Sequence, residues 1–399
     1  MPLTQQIKQY LIVTGNYWAF TLTDGALRML VVLHFHHLGY SPLSIAMLFL
    51  FYEIFGVITN LVGGWLGAKI GLNRTMNIGL ALQILSLLML TVPSEWLTVV
   101  YVMFAQALSG IAKDLNKMSA KSSIKILVSA GQEGRLFKWV AILTGSKNAL
   151  KGIGFFLGGL LLTVYGFTAA LQIMAAALML VWAYSLYALQ ADLGKAKSKP
   201  KFSDIFSKSR AINILSAARL FLFAARDVWF VVALPVYLSQ TFGWDHWWVG
   251  SFIALWIIGY GLVQSTAPKI LQIFSQTPFV QQTAAWAFVL ALLPAAMSLA
   301  LIYSLSPMLV VVAGLMLFGL LFAINSSLHS YLIVSMAKED GVSLDVGFYY
   351  MANAMGRLVG TVLSGLVFQA YGLVACLLVS AVFVLMAGLI SLKLPASSH

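Results

Sequence analysis

Residues 96–125 read WLTVVYVMFAQALSGIAKDLNKMSAKSSIK, an apolar run that passes into a row of lysines. Lys113, Lys117, Lys121 and Lys125 are spaced four apart. On a helix, successive i, i+4 positions drift by only about 40°, so the four share one face along about 18 Å. The first half of the stretch, from Trp96 to Gly110, has the composition of a membrane span. The row therefore begins inside the bilayer, and the rest of the chain has to justify that placement.

The surroundings are those of a polytopic membrane protein. The 399 residues are 61% hydrophobic and 9% charged, with mean hydropathy +0.92, far from the usage of soluble domains. The first apolar run starts near Tyr10 with no small-residue cleavage site ahead of it, so no signal peptide is expected. The single cysteine, Cys376, makes no intrachain disulfide. No G-x-x-x-x-G-K-[ST] phosphate loop occurs, which argues against ATP hydrolysis by this chain. Nothing resembles a nucleophile, base and orienter grouping or a metal-ligand cluster, so neither a catalytic site, a metal nor a cofactor is expected. His34, His36 and His37 read as interfacial histidines.

Apolar runs of span length place twelve helices near 10–36, 43–67, 75–93, 96–122, 138–164 and 167–190, then 211–240, 246–268, 280–304, 307–336, 346–370 and 372–393. Lys8, Lys69, Arg74, Arg135, Lys138, the 195–210 cluster, Lys269, Lys338 and Lys393 fall on one side when these alternate. The loops GYSP at Gly39, PSE at Pro93 and WDH at Trp244 carry no Lys or Arg. Both termini are thus expected in the cytoplasm. Residues 191–210 form a basic, polar linker between an N-terminal bundle, 1–190, and a C-terminal bundle, 211–399. The net charge of +12 is accounted for by this bias and needs no nucleic acid.

The two bundles read as a duplication. FTLTDGALR at Phe20 sets against FAARDVWF at Phe223, aligning Asp24 with Asp227 at an offset of 203. LGYS at Leu38 sets against FGWD at Phe242 at 204, and KGIGFFLGG at Lys151 against RLVGTVLSG at Arg357 at 206. Twelve helices in two parallel-related halves resemble the major facilitator superfamily, whose substrate sites lie at the midplane. GGWLGAKIGLNR from Gly63 is similar to that superfamily's motif after helix two, with Gly64, Lys69, Gly71 and Arg74 in place but Ala68 where an Asp is usual. Gln106 stands where proton-coupled exporters carry an arginine four residues before a glycine, here Gly110. Gly154, Gly158 and Gly159 resemble the antiporter motif of helix five, with Phe155 in place of its proline.

By these spans the membrane interior holds Arg28, Lys113, Lys117, Lys147, Lys151, Arg219, Arg226 and Arg357 against Asp24, Glu53, Asp114 and Asp227. At roughly 3 kcal/mol each, leaving eight cations in lipid would cost on the order of 20 kcal/mol, more than a fold can spare. They are expected to face a cavity or one another's partners. Asp24 and Arg28, four apart, form a structural ion pair or part of a site. Lys121 and Lys125 are expected to snorkel to the cytoplasmic surface, whereas Lys151, Arg226 and Arg357 lie near mid-span. A cationic excess suits a multiply charged anion, with forked donation from arginine and point charge from lysine. Arg28 and Arg226 resemble the paired arginines of organophosphate transporters of the superfamily, and Lys151 and Arg357, related by duplication, are expected to face each other across the cavity. Asn148, Asn353, Asn325 and His329 supply neutral partners, Asn325 aligning with Asn116. Trp256, Tyr260 and Gln264 form an i, i+4 stripe that reads as packing. Glu53, with no obvious partner nearby in sequence, leads the proton-carrier candidates, followed by Asp24 and Asp227.

The runs GNYWAFTLTDGALRMLVVLHFH, LFLFYEIFGVITNLVGGWLGAKIGLNRT, AQALSGIAKDLNKMSAKSSIK and FKWVAILTGSKNALKGIGFFLGG resemble the ArsJ family of bacterial organoarsenical efflux permeases. The resemblance implies an exporter of 1-arseno-3-phosphoglycerate in the bacterial inner membrane. It also implies functional pairing with the glyceraldehyde-3-phosphate dehydrogenase that makes this ester when arsenate replaces phosphate. Separately, a monomer is expected. An organophosphate or phosphate exchanger of the same architecture is the alternative, and a polytopic membrane enzyme or sensor a more distant one.

Overall fold

The computed structural model describes residues 3–40, 48–129, 131–189, 193–197, 200–206, 208–244, 246–273 and 278–395. The expected start of the second helix at 43, parts of the GYSP and WDH loops, the side chain of His36 and linker residues 191, 192, 198, 199 and 207 lie outside the described set.

The elements are α1 (Leu3–His37), α2 (Leu50–Ile70), α3 (Leu72–Met89), α4 (Val99–Leu127), α5 (Glu133–Ala188), α6 (Arg210–Phe230), α7 (Ala233–Phe242), α8 (His246–Gln272), α9 (Phe279–Ile302), α10 (Pro307–Met336) and α11 (Val342–Ser391). The expected twelve spans map onto them because α5 and α11 each contain two. A straight helix of 56 residues would run about 84 Å, well beyond a bilayer core of about 30 Å. Each instead breaks at one glycine, Gly166 (φ 77, ψ 174) in α5 and Gly372 (φ 75, ψ −173) in α11. This combination of angles is open to glycine alone without strain. The two glycines are 206 residues apart and each follows a tyrosine; Gly166 falls in the gap expected between adjacent spans, and Gly372 is the first residue after the other gap. Seven of the described segments are long and apolar enough to cross a membrane, these two double-length ones included.

The seventh span is discontinuous. Pro235 in α7 cannot donate to the residue-231 carbonyl and crowds it, and the helix opens at residues 231–232. The backbone N–H groups of Val232 and Ala233 are taken up by the Ser364 hydroxyl of α11, at 3.3 and 3.1 Å. Its counterpart, α1, runs unbroken from Leu3 to His37.

The chain divides into two compact units. The first comprises 1–139, 146–207 and 337–351; the second comprises 140–145, 208–336 and 352–399. Each has its own apolar core. In the first it runs from Phe20 through Leu27, Leu80, Leu171 and Leu178. In the second it is built on Trp229, Phe318, Phe322, Leu377 and Val384. Glycines set the closest helix contacts. A Cβ on Gly154 would stand 2.7 Å from the Leu22 carbonyl and 3.1 Å from the Gly25 Cα, and one on Gly360 would stand 2.7 Å from the Ala224 carbonyl. Backbone thus meets backbone between α1 and α5 in one unit and α6 and α11 in the other, which sets the acidic residues of α1 and α6 beside cations of α5 and α11.

The linker is fastened to the first unit where it is described. Leu72 N–H, the first of α3, donates to the Leu193 carbonyl at 2.7 Å, and Ala196 N–H to the Ala68 carbonyl near the end of α2 at 2.8 Å. Trp65 Nε1 donates to the Pro200 carbonyl at 3.1 Å, and Lys197 N–H to Asp340 Oδ1 at 2.7 Å. One N–H at the start of α3 and one carbonyl near the end of α2 are therefore satisfied by the linker backbone, at Ala68 itself, where an Asp is usual.

Candidate functional site

In the first unit three carboxylates organise the cations. Asp24, 5% exposed, accepts a hydrogen bond from Tyr52 Oη at 2.7 Å and lies 3.8 Å from Lys151 Nζ. The expected Asp24–Arg28 pair does not form. Arg28 turns to Glu53 of α2, 3.2 Å away, with its guanidinium 4.9 Å from the rings of both Phe49 and Tyr52. Facing a neighbouring helix that offers a carboxylate and two π faces, the arginine has more to gain there than from the i−4 position. Glu53, without a partner nearby in sequence, therefore has one in space.

Asp114 is buried between Lys117 Nζ (2.5 Å) and Lys113 Nζ (3.9 Å). Gly56 makes the room, because a Cβ there would stand 2.9 Å from Asp114 Oδ2. Lys113 also caps the Tyr52 ring at 3.8 Å. Lys121 corrects a second expectation: it is buried, 2% exposed, with Nζ 5.0 Å from the Tyr350 ring, and does not snorkel to the surface. Lys147 donates to Asn148 Oδ1 at 3.3 Å. Among the described intramembrane residues of this unit, Arg28, Lys113, Lys117, Lys121, Lys147 and Lys151 face Asp24, Glu53 and Asp114, six against three.

In the second unit one carboxylate serves two of three arginines. Asp227, fully buried, accepts from Arg226 Nε at 2.6 Å and from Arg357 Nε at 3.4 Å. Arg226 lies over Phe223 at 4.8 Å and Phe322 at 5.5 Å. Arg219, 3% exposed, is held by neutral oxygens: Nε donates to Asn353 Oδ1 at 2.8 Å, and Nη1 to the carbonyl and hydroxyl of Ser326 at 3.3 and 3.2 Å. Its guanidinium rests 3.9 Å from the Phe223 ring. Gln264 donates to the same Ser326 hydroxyl at 3.1 Å. His329 is buried, and its Nδ1 has no hydrogen-bond partner in the structure. Asn325 is spent on helix packing, donating to the Trp286 and Leu321 carbonyls at 3.0 Å each.

The stripe on α8 divides by role. Trp256 donates to the Leu315 carbonyl at 2.9 Å, stacks on Tyr260 at 5.5 Å and fills the space left by Gly319, so it packs. Gln264 instead belongs to the arginine cluster. Sequence reasoning also missed Tyr52, Tyr350 and Ser326. An aromatic or serine in an apolar run carries no signal of its own, and these three matter only because folding sets them against cations. Among the described residues no three His, Cys, Asp or Glu side chains come together as a metal site.

Intramembrane arginines and lysines in excess of carboxylates, in two repeat-related bundles, are an arrangement for a charged cargo in a membrane. The sequence model described as Major Facilitator Superfamily matches residues 11–328. The chain belongs to the major facilitator superfamily. It is accordingly a multi-pass membrane transporter of a small molecule, built as two pseudo-symmetric six-helix bundles. No curated protein sequence matches it significantly. Its fold is similar to that of the human organic anion transporter MFSD10 (TETRAN), with a TM-score of 0.75 at 16% identity over 98% of this chain and 100% of that one. A bacterial homologue of the iron transporter ferroportin in its outward-facing state gives 0.76 at 12% identity over 99% of both chains. The transporter FucP in its outward conformation gives 0.75 at 12% identity, over 98% of this chain and 100% of that one. At these identities the likeness is one of fold.

Proposed function

We propose that this transporter exports an organoarsenical anion, 1-arseno-3-phosphoglycerate, from the bacterial cytoplasm by alternating access, and so confers arsenate resistance. The observation that carries the reading is the cation surplus within each unit. Six intramembrane cations against three carboxylates in one, and three arginines against one carboxylate in the other, are tolerable when the cargo supplies negative charge. The ester is anionic at both ends. Resemblance of the first half to the ArsJ permeases adds the arsenic chemistry. In this reading a glyceraldehyde-3-phosphate dehydrogenase is the functional partner, the protein is a monomer in the inner membrane with both termini cytoplasmic, and Arg226, Arg357, Arg219, Lys151, Lys147, Lys117, Lys113 and Arg28 form the anion-binding set. Glu53, paired with Arg28 and about one-third exposed, is the first candidate for a proton carrier.

Everted membrane vesicles containing the protein should accumulate enzymatically made arseno-phosphoglycerate, with little competition from excess 3-phosphoglycerate or phosphate, and Arg357→Gln and Lys151→Gln should abolish uptake. Equal competition by phosphate would favour the second reading, a general organophosphate or phosphate exchanger, which the same cations would serve. Glu53→Gln should remove the dependence of export on external pH; an unchanged dependence would exclude Glu53 as the carrier.

A further inference from the structure

The outer face of α2 marks where that helix leaves the lipid. Gly56 and Gly63 face α4, since a Cβ on them would stand 2.9 Å from Asp114 Oδ2 and 2.8 Å from the Leu115 side chain. Ile54 and Ile58 lie on the opposite side and are exposed. The same row continues, at helical spacing, through Trp65 to Lys69. Exposed aliphatics, then a tryptophan, then a lysine describe a lipid-facing surface that passes through the membrane interface. Lys69 Nζ stands 4.5 Å from the centre of the Trp65 ring.

The linker is pinned at that tryptophan. Trp65 Nε1 donates to the Pro200 carbonyl at 3.1 Å, and its ring meets that of Phe202 edge-on, centroids 5.7 Å apart. Phe202–Ile205 form a single 3₁₀ turn, and Asp204 accepts from Lys201 N–H at its start, at 2.8 Å. The turn has two sides. Ile205 is buried, whereas Phe202 and Phe206 are 57% and 66% exposed. Lys197 and Lys201, before the turn, and Lys69, beside Trp65, are exposed as well. Two phenylalanines held outward at the interface, with lysines alongside, combine the apolar and the cationic contact that anchoring to a charged membrane surface requires.

We propose that Lys69, Lys197 and Lys201 bind the headgroup of an anionic phospholipid, with Phe202 and Phe206 seated among the chains beside it. The ligand is a lipid and not a soluble anion because the phenylalanines continue the lipid-facing row of α2, on the side away from Asp114. The site is therefore separate from the cargo cations, and the proposal holds whatever the transporter carries. A bound lipid would also press the linker onto the Leu72 N–H and the Ala68 carbonyl that its backbone already serves, so occupancy should stabilise the turn between α2 and α3.

The test uses the full chain with a nitroxide on Ser203→Cys, an exposed position between the two phenylalanines; the chain's own cysteine, Cys376, is buried. In phosphatidylcholine vesicles, adding phosphatidylglycerol should lower the label's access to a water-soluble nickel chelate by about twofold or more. Phe202→Ser with Phe206→Ser should restore access in both lipids. In neutral detergent, phosphatidylglycerol should raise the unfolding temperature, and Lys197→Gln with Lys201→Gln should increase the lipid needed for half of that rise by about tenfold. Lys269→Gln with Lys393→Gln, which removes two exposed charges elsewhere, should leave it unchanged. Equal nickel access with and without phosphatidylglycerol would overturn the proposal. So would equal weakening by the two lysine pairs, which would mean a diffuse surface field, or full stabilisation by inorganic phosphate, which would mean a soluble anion. A label that stays shielded in the double-serine variant would remove the phenylalanines from the site and overturn it as stated.

Discussion

The two repeats place an acid–cation contact at the same position and surround it differently. Asp24 meets Lys151 at 3.8 Å and Asp227 meets Arg357 at 3.4 Å, residues related by offsets of 203 and 206. Beyond that contact the chemistry diverges. Asp24 adds a tyrosine hydroxyl, whereas Asp227 adds a second arginine. Carrying the same offsets further sets Arg219 against Asn16 and Asn353 against Lys147, so the cation changes from the first helix of the repeat to the fifth. Carrying the Asn116–Asn325 offset sets Lys113 against Phe322 and Lys117 against Ser326. The first unit therefore spreads point charges among several carboxylates and tyrosines, and the second stacks rigid guanidiniums on phenylalanines around one carboxylate. Duplication preserved one acid–cation contact, and divergence decided where the other charges sit in each half.

The comparison breaks most readily at its carboxylates. Asp227→Asn strands two arginines and is expected to destabilise the folded protein by about 3–5 kcal/mol. Asp24→Asn, with one lysine and a hydroxyl to re-pair, should cost about 1–3 kcal/mol. Thermal unfolding of the two purified variants, followed by tryptophan fluorescence, ranks them; equal losses would mean that the surroundings do not matter. The next effect is on Arg219. Arg219→Gln should lower affinity for the anionic cargo about tenfold through the loss of a charged donor, and adding Asn353→Lys, which moves the cation to the position it holds in the first unit, should recover part of it in a binding isotherm. No recovery would show that the forked geometry, not the charge, is required.

Charge-conserving exchanges sharpen the same point with smaller effects. Arg357→Lys should weaken binding more than Lys151→Arg, by a few-fold, because only the first discards a planar fork; the reverse order in competition assays would misplace the oxyanion. On stability, Ser364→Ala leaves two backbone N–H groups at the α6–α7 break without their acceptor and should cost about 1–2 kcal/mol, less than Asp227→Asn. Gly158, at the equivalent place beside the unbroken α1, has no such duty. A Ser364→Ala variant as stable as its parent would show that the break satisfies itself in another way.

Much of the fold was legible because bilayer thickness and backbone hydrogen bonding leave few options. Apolar run lengths set the number of spans, and the gap at 165–166 contains, and the gap at 371 adjoins, the glycine that folds one long helix into two. The repeated FTLTDG and FAARDV stretches exposed the duplication, and with it the paired positions Asp24, Lys151, Asp227 and Arg357. Partnership among the charges was not legible. Helical spacing offered Asp24 to Arg28, but a carboxylate and two rings on α2 outcompete a neighbour one turn away.

By itself, then, the sequence determined a helical membrane transporter with duplicated bundles and more cations than carboxylates within its spans, since periodicity, run length and charge are local quantities. Tertiary structure alone decided which charges are neutralised, that Gln264 and Ser326 join Arg219, and that Lys121 is covered by a tyrosine 229 positions later. Those outcomes depend on which helices are brought into contact, and small groups such as Gly56, Gly64, Gly154, Gly347 and Gly360 set how closely; no spacing along the chain encodes that.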